Sequence, residues 1–103
     1  MVEVVKSATF DRWIRKLKDR RAAARVLIRI DRLIGGNPGD VRPIGRGISE
    51  LRIDYGPGYR VYYLQDADRL VLLLCGGSKS TQQADIQTAH QIAKDWRQDQ
   101  GQP

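Results

Sequence analysis

The chain holds one cysteine, Cys75, one histidine, His90, one phenylalanine and one methionine among its 103 residues. A lone cysteine excludes an internal disulfide and any zinc site built on several thiolates, and it suits a reducing compartment. A lone histidine leaves no cluster of His, Cys, Asp and Glu at metal-ligand spacing, so neither a metal nor a small-molecule cofactor is expected. Long apolar runs are missing as well. The longest, Leu70 to Cys75, is far short of the ~20 residues that a membrane span needs, and no signal-peptide segment follows Met1. The expectation is a cytoplasmic protein with no membrane partner. A Walker pattern is also absent: neither "GGNPGDVRPIGRG" (Gly35 to Gly47) nor "GGSKS" (Gly76 to Ser80) supplies the Gly-Lys-Ser/Thr that opens a helix under a nucleotide.

What the chain has is positive charge. Lys and Arg number 18 against 12 acidic residues, a net charge of +6 and a pI near 9.9. Such an excess favours a polyanionic partner, nucleic acid first, or an acidic protein. The hydrophobic share of 41% predicts a folded globule, and the length predicts a single domain with one modest core. Residues 1–96 are expected to form that domain, and the polar residues 97–103 a disordered tail.

Periodicity divides the chain into helices, then strands, then a last helix. Val2 to Val5 reads as a short strand. Ser7 caps a helix whose Phe10, Trp13, Ile14 and Leu17 recur on one face. After Asp19 a second helix runs to about Ile34, with Ala23, Val26, Leu27, Ile30, Leu33 and Ile34 inward and Gly35 as the stop. Arg21, Arg25, Arg29 and Arg32 share a stripe on it, either a solvated face or a binding surface. Gly35 to Gly47 is expected to be mostly loop.

From Glu50 the period becomes two. Leu51, Ile53 and Tyr55 alternate with Glu50, Arg52 and Asp54, Pro57 and Gly58 form a hairpin turn, and Tyr59 to Gln65 returns. Leu70 to Cys75, apolar throughout, reads as a central strand covered on both sides. A final helix capped by Ser80 or Thr81 carries Ile86, Ala89, Ile92, Ala93 and Trp96 on one face. The whole is an α+β fold, with an N-terminal strand and a helical hairpin packed on a small antiparallel sheet, closed by a C-terminal helix.

Arg60 shares its strand face with Tyr62 and Leu64 and lies beside the charged face of Glu50, Arg52 and Asp54. One reading is a salt bridge to Glu50 or Asp54 that only satisfies charge. The other is a binding site: two glycines end the central strand, present Lys79 on a loop, and bring Lys79 and Arg60 to one concave, solvent-facing sheet edge.

The stretches "ELRIDYGPGYRVYY" and "GGSKSTQQADI", in this order and spacing, resemble the RelE/ParE superfamily of type II toxins, and most of all its HigB-like, addiction-module killer branch of phage Gp49-like proteins. The resemblance runs from Val2 to Trp96. It implies a toxin that enters the ribosomal decoding site and cuts mRNA without a metal, held in check by a cognate antitoxin, a small helix-turn-helix protein. It assigns the scissile phosphate to Arg60 and supporting positions to Lys79 and to Arg52 with Glu50; the chemistry then suits Glu50 to the role of base, and Arg46, Gln82 and Gln83 are expected to contact RNA. Attack by a ribose 2′-hydroxyl needs a base, cations for the phosphate and help for the leaving 5′-oxygen, and these residue types meet those needs.

One departure stands out. Several ribosome-dependent relatives end in a tyrosine or histidine, and this chain does not; His90 reads as a residue inside the last helix. A ParE-like, non-catalytic inhibitor of DNA gyrase and a non-toxic nucleic-acid-binding domain are the alternatives that share the fold.

Overall fold

A computed structural model of the protein describes residues 2–101. Strand β1 (Glu3–Lys6) leads into helix α1 (Ala8–Lys16), and α2 (Arg20–Ile34) follows. The caps are those the side chains dictate: Ser7 Oγ accepts from the Phe10 amide at 3.0 Å, and Asp19 Oδ1 accepts from Arg21 and Ala22 at 3.0 and 3.1 Å. Four strands then run as a meander, β2 (Val41–Gly45), β3 (Ile48–Ile53), β4 (Tyr59–Asp66) and β5 (Leu70–Ser78), before helix α3 (Gln82–Gly101).

The sheet has five strands in the order β1-β5-β4-β3-β2. Each neighbouring pair is antiparallel except β1 with β5, which is parallel, so the expected small antiparallel sheet is present and the N-terminal strand joins it as a parallel fifth strand. The parallel partner of Val4 is Val71, a pairing no hairpin signal announces. β2 replaces part of the expected loop: Val41 and Ile44 turn partly inward, and Pro43 is accommodated because β2 is an edge strand.

The two faces of the sheet carry separate cores. Leu51, Ile53, Val61, Tyr63, Val71 and Leu73 meet Phe10, Val26, Ile30 and Leu33 of the helical hairpin. Ile48, Tyr62, Leu64, Leu72 and Leu74 meet Ala89 and Ala93 of α3. β5 is buried on both sides, as its unbroken apolar run predicts. Trp13 and Trp96 flank these cores, half-buried. Leu27 departs from its expected inward place and is 44% exposed; one turn of α2 buries Val26 and Ile30 and carries Leu27 past the edge of that stripe.

Two further expectations change. The Tyr55–Tyr59 turn closes one residue early, with the Gly58 amide on the Tyr55 carbonyl at 3.0 Å and positive φ at both Gly56 and Gly58. The polar tail from Arg97 continues α3 to Gly101, with no helix breaker before that residue and Arg97 anchored on the Arg46 carbonyl at 2.6 Å; positions 102 and 103 lie outside the described residues.

Candidate functional site

Gly76 and Gly77 lie inside β5 rather than ending it. A Cβ on Gly76 would enter the ring of Trp13 on one face of the sheet, and one on Gly77 would enter the Asp85 carboxylate on the other. The pair is there because two helices approach the strand backbone from opposite sides. The first turn of α3 is thereby brought down over the polar end of the sheet.

That end is organised by register. Glu50 stands opposite Tyr62, and Arg52 opposite Arg60, whose other neighbour is Gly77. Glu50 accepts three hydrogen bonds, from Arg60 Nη1 at 2.9 Å, Tyr62 OH at 3.2 Å and Gln82 Nε2 at 2.8 Å. Its side chain is fully buried and that of Arg60 is 10% exposed. The solvent-facing edge expected for Arg60 is therefore replaced by a position in the middle strand of the sheet, under α3.

The electrostatics follow from this burial. Glu50 has both oxygens engaged and no face toward solvent, so it holds its neighbours in place and is not positioned to take a proton from a substrate. Burial, and then the charge of Glu50, raises the Tyr62 hydroxyl well above its ordinary range, which keeps it a donor. The Arg60 Nε is buried with no hydrogen-bond partner among the described residues.

The remaining candidates separate into a rim and an outlier. Arg52 is half-exposed, and its Nε lies 3.9 Å from Asp40. Lys79 is exposed; its amide donates to the Gly58 carbonyl at 2.8 Å, which fixes the end of β5 against the β3–β4 turn and leaves the side chain free of any ion pair among the described residues. Lys79, Gln82 and Gln83 line an open depression of about 560 Å³. Arg46 sits apart, on the β2–β3 turn at the other end of β3 with φ of 56°, beside His90 and Lys94 in a separate groove. Thus Glu50, Arg60 and Gln82 are joined, Arg52 adjoins them, Lys79 and Gln83 stand at the rim, and Arg46 belongs elsewhere.

Two participants were not among the site residues expected from the sequence. Tyr62 alternates with Arg60 on β4, so its face was visible, and only the register placed it on Glu50. Asp85 accepts from Thr81 Oγ1 at 2.5 Å and seats the first turn of α3 over Gly77; the adjacent glycines in "CGGSKSTQQADI" were the available signal.

The chain belongs to the family described as Phage derived protein Gp49-like (DUF891), whose model matches residues 12–96. This family is associated with RelE/ParE-like toxins, and the α+β architecture is compatible with a RelE-like fold. A protein of Haemophilus influenzae (strain Rd), described as uncharacterized, is 49% identical over 94 residues, which cover 91% of this chain and 95% of its own length.

Proposed function

We propose that this protein is the toxin of a toxin–antitoxin pair and that it cuts mRNA on the ribosome. The family supports the toxin and its antitoxin partner. The observation that carries the RNA reading is the facing of Arg52 and Arg60 across two strands. Like charges set directly opposite destabilise a sheet; Arg60 is paired with Glu50 at 2.9 Å, whereas Arg52 meets Asp40 at 3.9 Å with both side chains exposed. The edge thus holds a cation that the fold pairs only loosely, with Lys79 near the same end of the sheet.

In the proposed reaction the 2′-oxygen bonds to the adjacent phosphorus as the bond from phosphorus to the 5′-oxygen breaks. The 2′-hydroxyl gives up its proton to a base, and the 5′-oxygen takes one up. Arg52 stabilises charge on the phosphoryl oxygens and Lys79 the departing oxygen, while Arg60, enclosed with Glu50, lies opposite Arg52 and does not contact the substrate. Glu50 keeps Arg60 in place, and the proton acceptor comes from outside this cluster. An open site of this kind depends on the ribosome to hold the substrate in line.

Brief induction followed by primer extension on cellular mRNA tests the reading, with cuts expected inside translated frames and purified naked RNA left whole. Equal cutting of naked RNA would overturn the ribosome part. A second reading, non-catalytic inhibition of DNA gyrase, is favoured by one observation: Glu50, the carboxylate assigned as base, is buried. Intact message together with gyrase-dependent DNA damage after induction would decide for it.

A further inference from the structure

We infer that the groove between the β2–β3 turn and helix α3 is a second ligand site, one that takes the phosphate group of a nucleotide. It lies at the opposite end of β3 from Arg52, and whether the protein cuts RNA leaves it unchanged.

The groove, about 450 Å³ and open to solvent, is lined on one side by the turn from Ile44 to Arg46 and on the other by Gln87, His90, Gln91 and Lys94. These four recur at i, i+3, i+4 and i+7, so a single face of α3 supplies that wall. Arg46 and Lys94 are exposed and make no ion pair among the described residues, and no carboxylate lines the groove. Asp95, next along the helix, is held by Gln91 Nε2 at 2.9 Å.

Two features set these groups apart from a merely solvated surface. Arg46 has φ of 56°, between Gly45 at 95° and Gly47 at 78°. Left-handed backbone favours glycine or asparagine, and arginine is a strained choice for a turn that either would form. The fold uses only its carbonyl, which accepts from Arg97 Nη2 at 2.6 Å; the guanidinium has no partner among the described residues. The second feature is His90, whose Nδ1 is buried without a hydrogen-bond partner among the described residues. With Nδ1 enclosed, Nε2 is the nitrogen through which His90 meets a ligand in the groove it lines.

A guanidinium fork, an ammonium and an imidazole N–H arriving from two elements offer donors and positive charge. A carboxylate has two oxygens for these three groups, and a phosphate monoester has three. Gln87 and Gln91 beside Ile44 add amides that pair with the edge of a base and apolar surface for its ring, and the volume is ordinary for a small-ligand site.

His90 is the only histidine in the chain, so its imidazole resonances in untagged, ¹³C-labelled protein report on this groove alone. They are followed at fixed pH and ionic strength as adenosine 5′-monophosphate, the trinucleotide ApApA or adenosine is added. A saturable shift is expected with the phosphate-bearing ligands and little with adenosine. Lys94→Gln and Arg46→Asn should each weaken binding at least ~10-fold by removing a charge-assisted contact. Arg46→Asn should also melt no lower than the parent, because asparagine tolerates the left-handed turn. ApApA binding ~10-fold or more tighter than the mononucleotide assigns the phosphate to a strand, and any smaller ratio assigns it to a free nucleotide. No saturable shift with either phosphate-bearing ligand, adenosine binding as well as its monophosphate, or undiminished binding by either variant would overturn the inference.

Discussion

Arg60 Nη1 donates to Glu50 Oε1 at 2.9 Å, and the carboxylate it meets has no surface open to solvent. Breaking a buried pair by removing one partner costs about 3–5 kcal/mol, because the other charge is stranded. Arg60→Met should therefore be strongly destabilising, with a fall in Tm of about 4–8 °C for each kcal/mol in a domain of this size. Glu50→Leu/Arg60→Met removes both charges and should lose less than Arg60→Met alone, with some loss remaining because Tyr62 and Gln82 give up their acceptor. Urea denaturation of both variants measures this. A cost below about 1 kcal/mol for Arg60→Met would contradict the burial of the pair.

The glycine pair yields a second expectation. Gly76→Ala drives a methyl into Trp13 and should cost about 1–3 kcal/mol or more, the range for overpacking. Combining it with Trp13→Leu should recover part of that loss, since the clash is with the ring and not with backbone. If the double variant is as unstable as the sum of the two singles, the close approach of α1 to β5 is not the reason for glycine at this position.

Alkaline pH gives a third. Burial, aided by the charge of Asp85, pushes the Cys75 thiol up from about 9 to about 12, and burial also raises Tyr62 and Tyr63 above their ordinary 10. In each case the unfolded chain releases its proton first, so it holds fewer protons than the native state and stability falls as pH rises. The decline should begin near pH 9 and steepen past pH 10, at no more than about 1.4 kcal/mol per pH unit for each group. Chemical denaturation from pH 7 to 11 follows it, and Cys75→Ala should remove the earliest part. A curve for Cys75→Ala that falls in parallel with the parent from pH 9 would show that the thiol is not held protonated by the fold.

The helices and the β3–β4 hairpin could be read from the sequence because their signals are local: Ser7 and Asp19 as caps, the 3.6-residue period of Val26, Ile30 and Leu33, and the alternation from Glu50 onward. The parallel seat of β1 could not, since Val4 meets Val71 and nothing near either residue states it. The same limit applied at the candidate site. Alternation put Arg60 and Tyr62 on one face, and the nearness of Glu50 was visible. Their burial depended on α3 descending over Gly77, a tertiary event that turned an expected exposed edge into an enclosed ion pair.

That enclosure moves the decisive functional test from Arg60 to Arg52 and Lys79. Any substitution of Arg60 lowers stability, so lost toxicity there would not separate chemistry from folding. Arg52 meets Asp40 only at 3.9 Å with both side chains well exposed, a pair worth about 0–1 kcal/mol. Lys79 serves the fold through its amide, which a change of side chain leaves in place. Arg52→Ala and Lys79→Ala should thus melt close to the parent. If these cations stabilise charge that develops on the phosphate and the leaving oxygen, each loss should slow cleavage of translated message by ~10²–10³-fold. Arg52→Lys should restore only part, because an ammonium keeps the charge and lacks the two-pronged fork. Toxicity on induction should fall in step with cleavage. Folded variants that remain fully toxic and cut message at the parent rate would remove Arg52 and Lys79 from the site and leave the polar end of the sheet with a structural role alone.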